Sequence, residues 1–167
     1  EGAERGGARA AREDRDGRVV SLQLFGHPFS SYTWKVLIPL WANETPFAFR
    51  MVDPDHPDNG EELKRHWPFG QFPLLLDGDR AVSESTCIIE HLDAHHPGPN
   101  KWIPDGEMGR QVRFLDRVSD LRVMDRATAA VLDAIRPEEH RDPYGVEQAR
   151  AQLRVAYDWL EANLGDG

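Results

Sequence analysis

The chain has 167 residues, a formal net charge of −9 and 40% hydrophobic residues, enough apolar content for one or two small folded domains. The acidic balance speaks against a nucleic-acid partner, which needs basic patches to replace phosphate counterions, and against an anionic membrane surface. No apolar run approaches the roughly 20 residues of a membrane span, and Cys87, the single cysteine, rules out an internal disulfide, a Cys-x-x-Cys redox pair and a cysteine-rich zinc site.

Residues 1–18 are charged, rich in Gly and Ala and free of aromatic side chains. They read as an unstructured arm and lack the apolar core of a secretory signal. Val19 to Phe25 reads as a buried strand, and Gly26 to Ser31 as a loop. A helix follows over about Tyr32 to Asn43, with Val36, Leu37, Leu40 and Trp41 on its inner face and a kink expected at Pro39. Phe47 to Val52 is a second strand, 53–59 a loop, and Glu61 to Trp67 a short helix. Leu74-Leu75-Leu76 and Arg80-Ala81-Val82 form a hairpin about the turn signal Asp77-Gly78. Ser83 or Ser85 then caps a helix burying Ile88, Ile89 and Leu92. Cys87 on that helix reads as a small core residue.

Pro97-Gly98-Pro99 reads as a linker. Beyond it the periodicity predicts one long helix over about Glu107 to Ile135, with Val112, Leu115, Val118, Leu121, Leu132 and Ile135 inward. A second helix spans about Gly145 to Leu164, with Leu153, Tyr157, Leu160 and Leu164 inward. The domains expected are an arm over 1–18, a mixed α/β domain over 19–96, a linker over 97–104 and a helical domain over 105–167.

Three fragments stand in order on these elements. They are Gly26-His27-Pro28-Phe29-Ser30 with Lys35-Val36-Leu37, then Trp67-Pro68-Phe69-Gly70-Gln71-Phe72-Pro73, then Glu84-Ser85. Together they resemble the glutathione transferases, closest to the phi class. The resemblance covers about Val19 to Leu164. It implies a thioredoxin-like domain of order βαβαββα followed by an all-α domain, which at Gly165-Asp166-Gly167 looks truncated against the family.

The resemblance also implies roles. Ser30 would donate a hydrogen bond to the thiol of glutathione and favour the thiolate; read without the family, the same serine is a helix cap. Ser31 and Tyr32 are the alternatives. The segment Ser30 to Val36 is also similar to the zeta-class Ser-Ser-Cys-Ser-Trp-Arg-Val motif, with Tyr32 at the cysteine. Phe72-Pro73 would be cis and would offer the Phe72 backbone to the cysteinyl unit. Glu84 would meet the γ-glutamyl amine, and Ser85 would hold its carboxylate at a helix N-terminus. Gln71 would reach the same ligand. For the glycyl end, His56 and Lys64 are the nearby analogues, with His56 the candidate. Phe29, Tyr32, Arg113, Phe114 and Arg117 would wall the electrophile pocket.

His91 and His95 share a helix face at i, i+4, with His96 beside them. No third ligand from another segment is evident, so they read as a solvated helix end. The expectation is therefore a glutathione transferase of bacterial type, cytoplasmic and homodimeric. It would take glutathione and a small electrophile as partners and need no metal. A glutathione-dependent isomerase or dehalogenase, and a non-catalytic binding module on the same fold, are the alternatives.

Overall fold

The computed structural model describes residues 21–164 and, before them, only the backbone of two short strands, β1 (Arg12–Glu13) and β2 (Val19–Val20), which pair antiparallel. The rest of the expected arm lies outside the described residues. Two compact units follow one another along the chain, the first ending at Ile103 and the second beginning at Pro104.

The first unit is built on β3 (Leu22–Gly26), whose five residues are all buried. It is hydrogen-bonded on one side to parallel β4 (Ala48–Met51) and on the other to antiparallel β5 (Leu74–Asp77), which pairs in turn with β6 (Arg80–Ser83). A strand covered on both faces reads as a continuous apolar run, and Leu74, Leu75 and Leu76 are likewise buried. Gly78 has φ 57°. The two turn residues are therefore Gly78 and Asp79, with Asp77 already paired to Arg80; the turn sits one residue later than the sequence signal.

Three helices flank this sheet. Helix α1 (Ser31–Ala42) packs Val36, Leu37 and Leu40 against Leu22, Leu24, Leu75, Ile88 and Leu92. The helix runs through Pro39 without a break. Trp41, expected inward, is 52% exposed; it stacks edge-on with Trp34, ring centroids 5.6 Å apart, on the outer face. Helix α2 (Pro57–His66) opens on a proline, whose missing N–H costs nothing in the first turn. It buries Leu63 among Phe25, Leu74 and Leu76. Helix α3 (Ser85–His95) buries Ile88, Ile89 and Leu92 as expected. Its cap is Glu84, at φ 66° with no side-chain cap bond, not Ser83 or Ser85. Ser85 has been drawn into the first turn because the chain reverses at Glu84. Cys87 faces outward and is exposed, since the core side of α3 is filled by its isoleucines.

A buried polar network pins β4 to its neighbours. Arg50 donates to Gln23 Oε1 at 2.8 Å, to Asn59 Oδ1 at 2.9 Å and to Glu62 Oε2 at 3.0 Å. Its guanidinium carbon lies 5.0 Å from the Phe25 ring centroid. The Arg50 and Glu62 side chains are each 11% exposed. Removing one member of such a pair leaves an uncompensated charge away from water.

The second unit is helical: α4 (Gly106–Val118), a π-helical stretch Ser119–Met124, α5 (Asp125–Ala134) and α6 (Pro143–Leu164). The π turn is the reason the expected apolar stripe fails. Bonds from i to i+5 add residues to a turn, and each added residue rotates later positions by about 100°. Leu121, Leu132 and Ile135 are accordingly exposed; on α6, a separate helix that the π turn does not reach, Tyr157 and Leu164 are exposed too. The buried residues of α4, α5 and α6 are small or polar: Gly109, Asp133, Ala149 and Ala156. Asp133 accepts from Asp142 N at 2.8 Å and from Arg136 at 3.2 Å, anchoring the α5–α6 connection. Among the described residues no helix is long and apolar enough to cross a membrane.

Glu62→Ala should lower the unfolding free energy by about 3 kcal/mol, read from urea denaturation; a change within about 0.5 kcal/mol would show that the Arg50 network carries no net stability.

Candidate functional site

One row of the sheet fixes the site. Phe25 pairs with Leu74, and Leu74 pairs with Ser83; on the other side Gly26 pairs with Met51. The segments next to this row are the loop 27–30, the Phe72-Pro73 dipeptide, the Glu84-Ser85 pair and the loop that begins at Val52. All four therefore leave the same end of the sheet. Ser30, Phe72, Glu84, Ser85 and His56, scattered over more than fifty positions in sequence, are carried to one end by strand register alone.

The loop 27–30 is held by side chains to which the motif reading gave no role. His27 N donates to Thr33 Oγ1 at 3.3 Å. Phe29 N donates to His27 Nδ1 at 3.1 Å, and Trp34 Nε1 donates to the Pro28 carbonyl at 2.7 Å. Thr33 is fully buried. It presses so close to Gly26 that a Cβ there would stand 2.6 Å from Thr33 Cγ2, which is why this strand ends in glycine. The sequence signal for Thr33 was available: a hydroxyl three positions after Ser30, inside the first helical turn, where polar side chains recapture backbone donors.

Ser30 is the N-cap of α1, at φ −96° and ψ 121°, and its Oγ accepts from Thr33 N at 3.3 Å. A serine hydroxyl has one proton and two lone pairs. Capping uses a lone pair and leaves the O–H free to donate, so the two readings of Ser30 are compatible. Ser31 is the first helical residue, and Ser31 and Tyr32 are both half-buried. No acidic residue sits in the first turn of α1, so its positive end is uncompensated by the helix itself.

Phe72-Pro73 is cis. Pro73 is buried, Phe72 half-buried and Gln71 exposed. The His27 and Phe72 rings lie 6.3 Å apart, which brings the first loop beside the proline segment. Lys35 Nζ donates to Thr86 Oγ1 at 3.0 Å and ties α1 to the start of α3. Ser85 is 5% exposed in the first turn of α3, which also lacks an acidic residue. Glu84 stands outside it, exposed, with its carboxylate not spent on capping. A left-handed φ at a non-glycine residue costs on the order of 1 kcal/mol, and such positions cluster where a side chain must be aimed.

His56 is the N-cap residue of α2, half-exposed, with Nδ1 2.7 Å from Asp53 Oδ1. That hydrogen bond holds the Asp53 carboxyl below its ordinary range. Lys64 is exposed farther along α2. Phe29 is 81% exposed at the tip of its loop.

The remaining candidates belong to the second unit. Phe114 packs edge-on against Trp159, centroids 5.8 Å apart, and lines an open groove of about 590 Å³ with Val118 and Val155. The arginines of that groove are Arg122 and Arg126. Arg113 and Arg117 are exposed and are not among its lining residues.

At the opposite end of the hairpin the histidines are not a solvated helix end. His91 Nε2 and His96 Nε2 both lie on Asp77 Oδ2, at 3.0 and 2.7 Å. The His91 side chain is 8% exposed. The third group that the sequence did not reveal comes from β5, fourteen residues before His91. Partial burial pushes the Asp77 carboxyl up, but the hydrogen bonds from His96 and His91 outweigh it and leave the carboxyl below its ordinary value of 3.8.

Comparison with known proteins agrees with this geometry. The family described as Glutathione S-transferase, N-terminal domain, matches residues 24–100. Glutathione S-transferase F6 of Arabidopsis thaliana is 28% identical over 173 residues, covering 89% of this chain and 74% of the relative. A probable maleylacetoacetate isomerase of Vibrio cholerae is 31% identical over 124 residues, covering 66% of this chain; the matched part spans only 57% of that protein. The crystal structure of a glutathione transferase family member from Pseudomonas fluorescens with bound glutathione superposes with a TM-score of 0.71 and 31% identity, covering 86% of this chain and 71% of that one.

Two outcomes follow from these contacts. Thr33→Val keeps the shape but removes the acceptor of His27 N, and should cost about 1 kcal/mol of stability, with faster amide exchange at His27; unchanged exchange would show that the loop is held otherwise. Asp77, with its folded carboxyl held low, contributes stability that is complete above its ordinary value and is lost as pH falls through the depressed one. The stability gap between wild type and Asp77→Asn should therefore shrink as pH is lowered below about 4, measured by urea unfolding at stepped pH; a gap unchanged down to pH ~2 would contradict the assignment.

Proposed function

The chain belongs to the glutathione S-transferase family of enzymes, and from that premise we propose that it binds glutathione at the end of the sheet marked by Phe25, Leu74 and Ser83 and activates its thiol for attack on a small electrophile. The observation that carries the proposal is the register itself. It brings a helix-capping serine, the Phe72-Pro73 segment and an acid–serine pair at a second helix N-terminus to one place.

The ligand's γ-glutamyl end has an amine and a carboxylate on one carbon. Glu84 suits the amine, because its carboxylate stands outside α3. Ser85 suits the carboxylate, because a helix N-terminus offers backbone N–H groups and a favourable dipole. Gln71 and the Phe72 backbone would flank the middle of the peptide. His56, fixed by Asp53, is the candidate for the glycyl end. This order lays the cysteinyl sulfur toward the start of α1.

At Ser30 the chemistry is thiolate stabilisation. A free thiol has a pKa of about 8.5, so little is ionised at pH 7. Lowering it by about two units takes roughly 3 kcal/mol. A hydrogen bond to a charged acceptor supplies about 1.5–3 kcal/mol, and a helix N-terminus on the order of 0.5–1. The two together suffice without a metal. The thiol proton goes to solvent, the thiolate forms the new C–S bond, and the leaving group departs with its electron pair. Ser31 and Tyr32 are next in line for the same role. Phe29 and Tyr32, beside the start of α1, are the candidates of this unit for holding the electrophile. A detoxifying, cytoplasmic, homodimeric transferase is the setting this reading favours.

A second reading has its own support. The Ser30-Ser31 pair followed by Trp34-Lys35-Val36, and the likeness to the probable maleylacetoacetate isomerase, favour glutathione used as a cofactor in isomerisation. Activity on maleylacetone with none on aryl halides would select it.

Calorimetric titration with glutathione tests the site, and turnover tests the chemistry. Glu84→Gln and Ser85→Ala should each weaken glutathione binding by about tenfold. Ser30→Ala should keep binding within a few-fold, lower kcat by about 10–100-fold and shift the pH–rate profile upward. Full activity in Ser30→Ala would move the role to Ser31 or Tyr32. An absence of glutathione binding up to about 10 mM, weaker than roughly 3 kcal/mol, would favour a binding module that does not use glutathione.

A further inference from the structure

We propose that Asp77, His91 and His96 form a binding site for a divalent transition cation of the zinc type, at the end of the β5–β6 hairpin remote from the candidate glutathione site. The two sites are separated by the length of α3, about 15 Å, so this proposal stands on its own observations.

The ligand set comes from three places in the fold. Asp77 is the last residue of β5, held by its pairing with Arg80 across the turn. His91 lies on the inner side of α3. His96 follows the helix, at φ −132° and ψ 54°, where the chain leaves the helical path. That break lets an imidazole five residues after His91 return to the same carboxylate. The three ligand atoms lie within 4.8 Å of one another. Zinc–nitrogen bonds of about 2.0–2.1 Å in tetrahedral array hold ligand atoms about 3.3 Å apart. The Nε2–Oδ2 distances here, 3.0 and 2.7 Å, need to open by only a few tenths of an ångström.

The chemistry suits the class of ion. Two imidazoles and one carboxylate are borderline donors that select zinc, copper or nickel over magnesium or calcium. Each Nε2 must present its lone pair, so the single proton of the neutral ring moves to Nδ1, and the carboxylate exchanges two hydrogen bonds for one bond to the metal. The C-terminal end of α3 adds the negative end of a helix dipole. Asp77 and His96 are 21% and 25% exposed, which leaves the remaining coordination positions to water. His95 stacks on His91, centroids 4.4 Å apart, but its Nε2 faces Arg80 Nη1 at 3.4 Å and is not one of the three. The bound ion would clamp the hairpin turn to the end of α3, adding to the hydrogen bonds that Asp77 makes with His91 and His96.

The test is titration of the full chain with zinc chloride in chelator-free buffer at pH ~7.5, read by calorimetry. The expected result is one saturable equivalent, a rise in the thermal midpoint that a chelator reverses, and a loss of affinity of at least about 100-fold in His91→Gln, His96→Gln and Asp77→Asn. His140→Gln, in the other unit, should bind as wild type does. Cobalt(II) added to the wild-type chain should selectively shift and broaden the imidazole signals of His91 and His96, a readout that survives if a variant fails to fold. Absence of saturable binding by the wild-type chain overturns the proposal. So does binding that persists in the folded single variants, or cobalt effects confined to other histidines.

Discussion

The burial of β3 on both faces is the constraint on which the rest of the first unit depends. Leu22, Gln23, Leu24, Phe25 and Gly26 are all buried, and β3 pairs on both of its edges. A strand so placed has little freedom of register, because a slip of one residue would exchange every side chain between the two faces. Leu22 and Leu24 face α1 and α3, whereas Phe25 faces α2. The Arg50 network adds a polar lock to this arrangement, since Gln23 on β3 and Glu62 on α2 are satisfied together by one guanidinium.

From that fixed register the two ends of the sheet acquire different chemistry. At one end two helices begin, α1 at Ser30 and α3 at Glu84, and both lack an acid in the first turn. Two helix N-termini without an acid in the first turn, and the exposed Glu84 between β6 and α3, are the features on which the proposed glutathione site rests. The cap bond from Thr33 N holds the Ser30 oxygen and leaves its hydroxyl proton unspent. At the other end of the hairpin Asp77 gathers two imidazoles, which gives a short turn an anchor that apolar packing alone does not supply.

The helical unit has a different character. Its interior is made of Gly109, Ala149, Ala156 and the Asp133 anchor, while Phe114, Leu132, Ile135, Val155 and Tyr157 stand at the surface. Helices packed through small residues approach closely and leave their large side chains outside. Phe114 and Trp159 use this to line a groove with two arginines, Arg122 and Arg126.

Much of this was legible in the sequence. The order of strands and helices and the burial of Ile88, Ile89 and Leu92 follow from local pattern, apolar runs of strand length and a Gly turn, whereas Ser30, Phe72-Pro73 and Glu84-Ser85 are singled out through the family resemblance. What the sequence could not show depends on contacts between segments far apart in the chain. Cys87 and Trp41 are locally consistent with burial but point outward, because the core volume beside them is taken by isoleucine and leucine from other elements. Leu121, Leu132 and Ile135 leave the inner face because a π turn shifts the helical count, and no composition signal marks that turn. The cap of α3 fell to Glu84 because the backbone reverses there with a positive φ, which preference tables would assign to glycine. Asp77 became the partner of His91 and His96 only when strand pairing and helix packing placed the end of β5 beside the end of α3. The sequence determined which residues can do chemistry; tertiary structure decided which of them meet, because distance in a folded chain is set by register and packing and not by separation along it.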